Sequence, residues 1–193
     1  MPSPKETQSA KELLAGDHAA LDKLLKTLLV ALDEDEASTI LQRLDLFWAR
    51  LAMHIRAENL HLFPALLNQL EEPAPQANQS SPAAETHQAI AQLRADHDFF
   101  MHELAAAIKA VRSLKDTGHS EAGNQSMKNL RARIMVLSKR LESHNEVEEE
   151  LVYSLPVQVL TLSEQQALVK GIQRELRNLP PRFSNGQAEP HEI

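Results

Sequence analysis

The stretch MHIRAENLHLFPAL, residues 53–66, decides how this chain is read. It continues a run that begins upstream: Ile40, Leu44, Phe47, Leu51, then His54, Glu58 and His61. Steps of three and four place these residues on one stripe of an α-helix, the stripe a helix buries. Halfway along, the stripe changes from hydrocarbon to imidazole and carboxylate. A buried carboxylate without a partner costs several kcal/mol or gives up its charge. This helix therefore predicts both a bundle and something cationic inside it.

The same periodicity occurs three more times. The first helix reads Leu14, His18, Leu21, Leu25, Leu28, Leu32; the third reads Ile90, Leu93, His97, Phe100, Leu104, Ile108, Val111. The fourth reads Met127, Leu130, Ile134, Leu137, Leu141, His144, Glu148, Leu151. An acidic break at Asp33–Glu36 parts the first two helices, and Ser38 is expected to cap the second. Residues 72–82 carry three prolines and no periodicity and read as a loop. Asp116–Ser120 reads as a turn with Gly118 as a helix stop, and Pro156 as the end of the fourth helix. A fifth helix is expected from Glu164 to about Leu179, capped by Ser163, with Leu168, Ile172 and Leu176 on one face. The fold class is all-α: an up-down-up-down four-helix bundle with an additional C-terminal helix. The expected divisions are a flexible N-terminus at 1–8, the bundle at 9–155, a helical extension at 156–179 and a disordered tail at 180–193.

Composition narrows the chemistry. The 193 residues include no cysteine, so disulfides, thiolate ligands and thiol catalysis are excluded. Any transition metal must be held by imidazole and carboxylate, a set that suits iron, manganese or zinc. The formal charge is −7 and no basic block occurs, which argues against nucleic acid and anionic membrane as partners. No apolar stretch has the length of a span or a signal segment, so a soluble, cytoplasmic protein is expected.

His18, His54, Glu58, His97, His144 and Glu148 all occupy stripe positions where an apolar side chain belongs. His54 and Glu58 are four apart, as are His144 and Glu148, so both members of each pair can reach one point on the bundle axis. His18 and His54 lie about 16 and 19 residues from the midpoint of the first turn, and His97 and His144 about 21 and 25 from that of the third. These offsets keep all six within one or two helical turns of one level. The halves also echo each other. Asp17-His18 with His54-x-x-x-Glu58 and Phe63-Pro64 parallels Asp96-His97 with His144-x-x-x-Glu148 and Tyr153. One half-site per helix pair makes a two-metal centre with the carboxylates as bridges.

The segments GDHAAL (16–21), MHIRAENLHLFPAL (53–66), ADHDFF (95–100) and SHNEVEEELVYSLP (143–156) resemble the hemerythrin HHE cation-binding domain over roughly residues 9–155. The resemblance implies His18, His54, Glu58, His97, His144 and Glu148 as ligands of two non-haem iron ions, with an oxo or hydroxo bridge compatible. The oxygen carriers of that family have a further histidine on the third helix, four residues after the first. Met101 stands there in this chain, so it resembles the bacterial and regulatory branch instead. That branch is linked to oxygen, nitric oxide, peroxide and the repair of iron centres. The implied function is binding or sensing of a small diatomic or peroxide ligand. The alternatives are a di-iron oxidoreductase consuming peroxide or nitric oxide, and an iron donor or repair protein. A homodimer or protein partner would use the C-terminal helix.

Other residues have readings of their own. His61 returns to the His54 face, where it would complete the metal coordination, donate to Glu58 or line the pocket. Asp17 and Asp96 are expected as surface charges, and Glu149 and Glu150 as a solvated acidic face. Tyr153 falls half a turn off the seam, which argues against a proton donor there. His102 is expected in solvent, and His87, His119 and His191 have no assigned role. Leu14, Leu21, Leu51, Leu93, Phe100, Leu141 and Leu151 are expected around the centre, admitting small uncharged ligands.

Overall fold

The computed structural model describes residues 8–34, 36–70, 81–117 and 120–184, and no strand occurs among them. The long helices are α1 (Ala10–Glu34), α2 (Ala37–Ala57), α4 (Pro82–Thr117) and α5 (Glu121–Val147). Two π-helical turns, π1 (Glu58–Leu62) and π2 (Glu148–Val152), extend α2 and α5. Shorter helices follow: α3 (Phe63–Leu67) after π1, then α6 (Pro156–Val159), α7 (Leu162–Leu176) and α8 (Pro181–Ser184). Helix α1 packs on α2 and α5, and α4 packs on the same two, which closes the expected four-helix bundle. Helix α7 lies against α1, α2 and π1. No helix among the described residues is long and apolar enough to cross a membrane.

The interior has two apolar clusters. One collects Leu21 to Leu32, Ile40 to Ile55, Phe100 to Leu114 and Leu130 to Leu141. The other collects Leu14, Phe63, Leu66, Leu93, Tyr153 and the inner face of α7, including Leu168, Ile172 and Leu176. On the four long rods His18, His54, His97 and His144 fall between the two clusters. Hydrocarbon on both sides thus holds the polar level away from water.

Several boundaries differ from the expected ones. Helix α2 starts at Ala37 with Glu36 in the N-cap position, because the amides of Thr39 and Ile40 turn back onto the Glu36 carbonyl; Ser38 lies inside the helix. The cap of α7 is Thr161, not Ser163. Thr161 and Glu164 form a reciprocal capping box, the Glu164 carboxylate accepting from the Thr161 amide at 2.8 Å. Pro156 opens α6 rather than closing the fourth helix, since a proline is well suited to a first helical turn. Pro181–Ser184 form a helical turn, with Arg182 donating to Asp45 at 3.0 Å. Most of the expected loop at 72–82, the Gly118 stop, His119 and His191 lie outside the described residues.

The two π turns matter most for the site. The Phe63 amide donates to the Glu58 carbonyl and the Tyr153 amide to that of Glu148, five residues back instead of four. One extra residue in a turn rotates everything beyond it by about the 100° of a single α-helical step. Leu151, expected inside, is therefore 55% exposed, and Tyr153, expected off the seam, is 2% exposed. His61 is turned away from the His54 face by the same step. Its ring packs under Gly171 of α7, and its Nε2 lies 3.7 Å from the buried Glu175 carboxylate. Arg56 donates to that carboxylate at 3.1 Å.

A methyl group on Gly171 would lie 2.7 Å from His61 Nδ1. Gly171→Ala is therefore expected to destabilise the protein by about 1–3 kcal/mol through overpacking. In a His61→Ala background the same change is expected to stabilise α7 by about 1 kcal/mol, the ordinary helix preference of alanine over glycine. Urea denaturation of the double-mutant cycle reads the sign in each background. Equal effects in both would show that the ring does not set the approach of α7.

Candidate metal centre

Each imidazole is presented by a rod whose register is held by hydrocarbon above and below. His18, His54, His97 and His144 are all buried, and Glu58 and Glu148 are fully so. Their inward atoms form two sets. His18, His54, Glu58 and Glu148 each offer a donor atom within 4.8 Å of the others, and Glu58, His97, His144 and Glu148 do the same. The two carboxylates belong to both sets. The structure thus brings together the six residues singled out on the stripes, while His61 lies outside both sets.

Nitrogens and oxygens point at one another across this level. His18 Nε2 and His54 Nε2 are 3.1 Å apart. Glu58 Oε1 is 3.4 Å from His54 Nε2, and Glu148 Oε1 is 3.1 Å from His144 Nε2. His97 Nε2 lies 3.2 Å from Glu58 Oε2, but not aligned for a hydrogen bond. Glu58 Oε2, Glu148 Oε1 and both His97 ring nitrogens have no hydrogen-bond partner although buried. Buried polar atoms are nearly always paired, so lone pairs converging without donors fit a cation.

The outward ring nitrogens meet carboxylates. Asp17 Oδ2 is 3.0 Å from His54 Nδ1, and Asp96 Oδ2 is 3.4 Å from His144 Nδ1. Both aspartates are buried, contrary to the expected surface charges. They do leave the seam of their own helices, but they turn toward the neighbouring helix, where an imidazole and an arginine receive them. Arg50 donates to Asp17 and also to the Leu176 carbonyl of α7, while Arg140 donates to Asp96 at 2.9 Å. Glu149 remains half-exposed, yet its Oε1 is 2.8 Å from His18 Nδ1. A carboxylate on Nδ1 fixes the ring and the tautomer, which leaves the Nε2 lone pair for a cation.

Aromatic groups distinguish the halves. The Tyr153 hydroxyl donates to Glu58 Oε1 at 2.6 Å and stands 3.1 Å from Glu148 Oε2 and 3.0 Å from His18 Nε2. At the equivalent point of the other half, Phe63 stacks on His97 with ring centroids 5.8 Å apart. Phe100 meets His144 edge-on at 5.2 Å. Met101 is turned to Trp48, whose indole N–H donates to its sulfur at 3.3 Å. His102 is exposed, as expected. Tyr153, Asp17, Asp96 and Glu149 are the residues that helix periodicity missed. The repeated Asp-His pair, and an aromatic residue five places after each of Glu58 and Glu148, were the signals present.

The electrostatics follow from this crowding. Burial opposes the charge on His54, but Glu58, Asp17 and Glu148 outweigh it and hold its imidazolium up to about 10. Burial likewise opposes His97, and Glu148 and Glu58 raise it to about 9. Glu148 is held well below the carboxylate range, the neighbouring His144, His18 and His97 imidazoles overcoming desolvation. Glu58 is lowered too, with burial and the Glu148 charge opposing and His54 and His97 prevailing. Tyr153 is pushed well above its usual range by burial and by the two carboxylate charges, so it stays a hydroxyl donor. Protons on His54 and His97 thus offset the two carboxylates when no other cation is bound, and cation binding must displace them.

A helical bundle with a buried, doubly shared imidazole–carboxylate level is a metal-binding bundle in class. The model of the family described as the hemerythrin HHE cation-binding domain matches residues 9–155, and the chain belongs to that family. No curated protein and no solved structure gives a significant match.

The imidazolium groups set a pH dependence for the metal-free protein. A raised folded-state pKa contributes stability that is complete below the unfolded value of 6.5 and is lost as pH rises toward about 9 for His97 and about 10 for His54. The lowered carboxylates contribute above 4.5 and lose their effect as pH falls. Thermal unfolding in chelator is expected to give the highest Tm between these limits and a steady fall on the alkaline side. A Tm unchanged from pH 6.5 to 9 would contradict the charge pairing.

Proposed function

We propose that this protein holds two iron ions, one in each donor set, and binds or senses a small diatomic or peroxide ligand at them. His18 and His54 would hold one ion, His97 and His144 the other, and Glu58 and Glu148 would bridge. The observation that carries this reading is the sharing of Glu58 and Glu148 by both sets, with an oxygen of each left without a hydrogen bond. Membership of a cation-binding family supports it. When bound, the iron pair supplies a redox-active Lewis acid able to accept an exogenous ligand.

The chain's own residues do the remaining work. Asp17, Asp96 and Glu149 orient three of the four imidazoles. The two apolar clusters exclude bulk water and strengthen every charge interaction between them. Tyr153 keeps a hydroxyl proton 2.6 Å from Glu58 Oε1, at the His18–His54 end of the centre. A cytoplasmic location belongs to the same proposal.

That hydroxyl also favours a second reading, an oxidoreductase that consumes peroxide or nitric oxide. Such turnover needs a proton source, and a positioned donor is worth about 10²–10⁴ in rate. Tyr153 supplies the donor that the seam lacks otherwise.

Protein purified without oxygen, assayed for metals and then exposed to oxygen or nitric oxide, tests the main reading. The expected result is about two iron ions per chain and a new visible absorption band. One non-redox ion per chain would sink it. Tyr153→Phe separates the two readings. As an enzyme, the variant is expected to lose about 10²-fold in peroxide or nitric oxide turnover at unchanged iron content. As a binding protein, the wild type responds once and does not turn over.

A further inference from the structure

A pocket of about 170 Å³ lies at the end of the bundle where α1, α6 and α7 meet. Ala10, Pro156, Leu168 and Val169, all buried, line it, and so does Tyr153. Polar groups such as Ser9, Lys11 and Gln165 line it too, together with Val157, which is 63% exposed. An apolar cavity of about 150 Å³ stays dry and takes up benzene or xenon, so this one is large enough for a small uncharged guest.

Its position gives the pocket a use. Tyr153 borders the pocket and also reaches the metal centre, its hydroxyl meeting Glu58 and Glu148. A diatomic such as oxygen or nitric oxide has little hydration to lose on leaving water for such walls, whereas ions lose theirs. The wider groove between α1 and α5, about 700 Å³, also reaches His18, but Asp22, Lys26, Glu142, Glu146 and Glu149 line it beside its apolar residues, so it does not favour an uncharged molecule over an ion. Helix α7 supplies Leu168 and Val169 to the pocket, so the extension beyond the four-helix bundle completes it.

We infer that this pocket is the access and holding site for a small uncharged ligand of the metal centre, with Tyr153 as the gate between them. The inference rests on the metal reading for its destination, and not for its occupancy.

Xenon is the probe for occupancy, used as pressurised gas on crystals of the full chain. The expected result is a xenon peak against Tyr153, Leu168 and Val169. A pocket without xenon overturns the inference. Two plugs, Val157→Trp at the exposed position and Val169→Phe in the wall, test the route, and the one read is the one that displaces the xenon. Association of nitric oxide with the reduced, iron-loaded plugged protein is expected to slow about tenfold at unchanged iron content. The control Val157→Ala is expected to leave the rate alone. A plugged protein that associates within about twofold of wild type overturns the route. A chain that takes up no iron sinks the metal reading, and with it the gate, while the xenon result still decides whether the pocket takes an uncharged guest.

Discussion

Two ionised carboxylates cannot share a dry space unless positive charge lies between and around them. Glu58 and Glu148 are fully buried and face the same volume, and each raises the cost of ionising the other. Four imidazoles answer that charge from four different rods. The rest of the structure can be understood as the means of holding those rings in place. The two apolar clusters fix the level of each rod, and carboxylates on the outer nitrogens fix three of the rings. The result is a cage whose charge balance can be met by protons or by metal, and which is poorly balanced without either.

The cage is near-symmetric in its ligating groups and asymmetric in its surroundings. Asp17 with Arg50 and Asp96 with Arg140 repeat one arrangement on two helix pairs. Tyr153 and Phe63 break the repeat, because one brings a hydroxyl to the carboxylates and the other only a ring face. Helix α7 breaks it again. Arg50 also holds the last carbonyl of α7, while Arg140 stacks over Phe99 instead. The two ends of the centre thus have different polarity and different packing, although their imidazoles and carboxylates match.

The π turns explain why the aromatic and aliphatic residues beyond Glu58 and Glu148 defeat helix periodicity. A π turn has poorer backbone geometry than an α turn and persists where surrounding packing rewards it. Here the reward is the burial of Phe63 and Tyr153 against the imidazoles, which an unbroken α-helix would turn outward. Leu151 is exposed and His61 moved to α7 as consequences of the same step.

The sequence by itself determined the four amphipathic rods, the all-α class and the six polar positions on their stripes, because each of these is a property of one helix and its 3.6-residue period; their common height followed from the length of rod on either side of each turn. It also carried the Asp-His repeat, but not its meaning, since Asp17 and Asp96 point off their own seams and find their partners on other helices. Tertiary structure alone decided that Tyr153 enters the centre, that His61 leaves it, that Glu149 reaches His18 and that α7 closes one end over an apolar pocket. Those outcomes depend on where a helix departs from its period and on what a neighbouring helix offers in return. Neither is written in the spacing of residues along a single strand of chain.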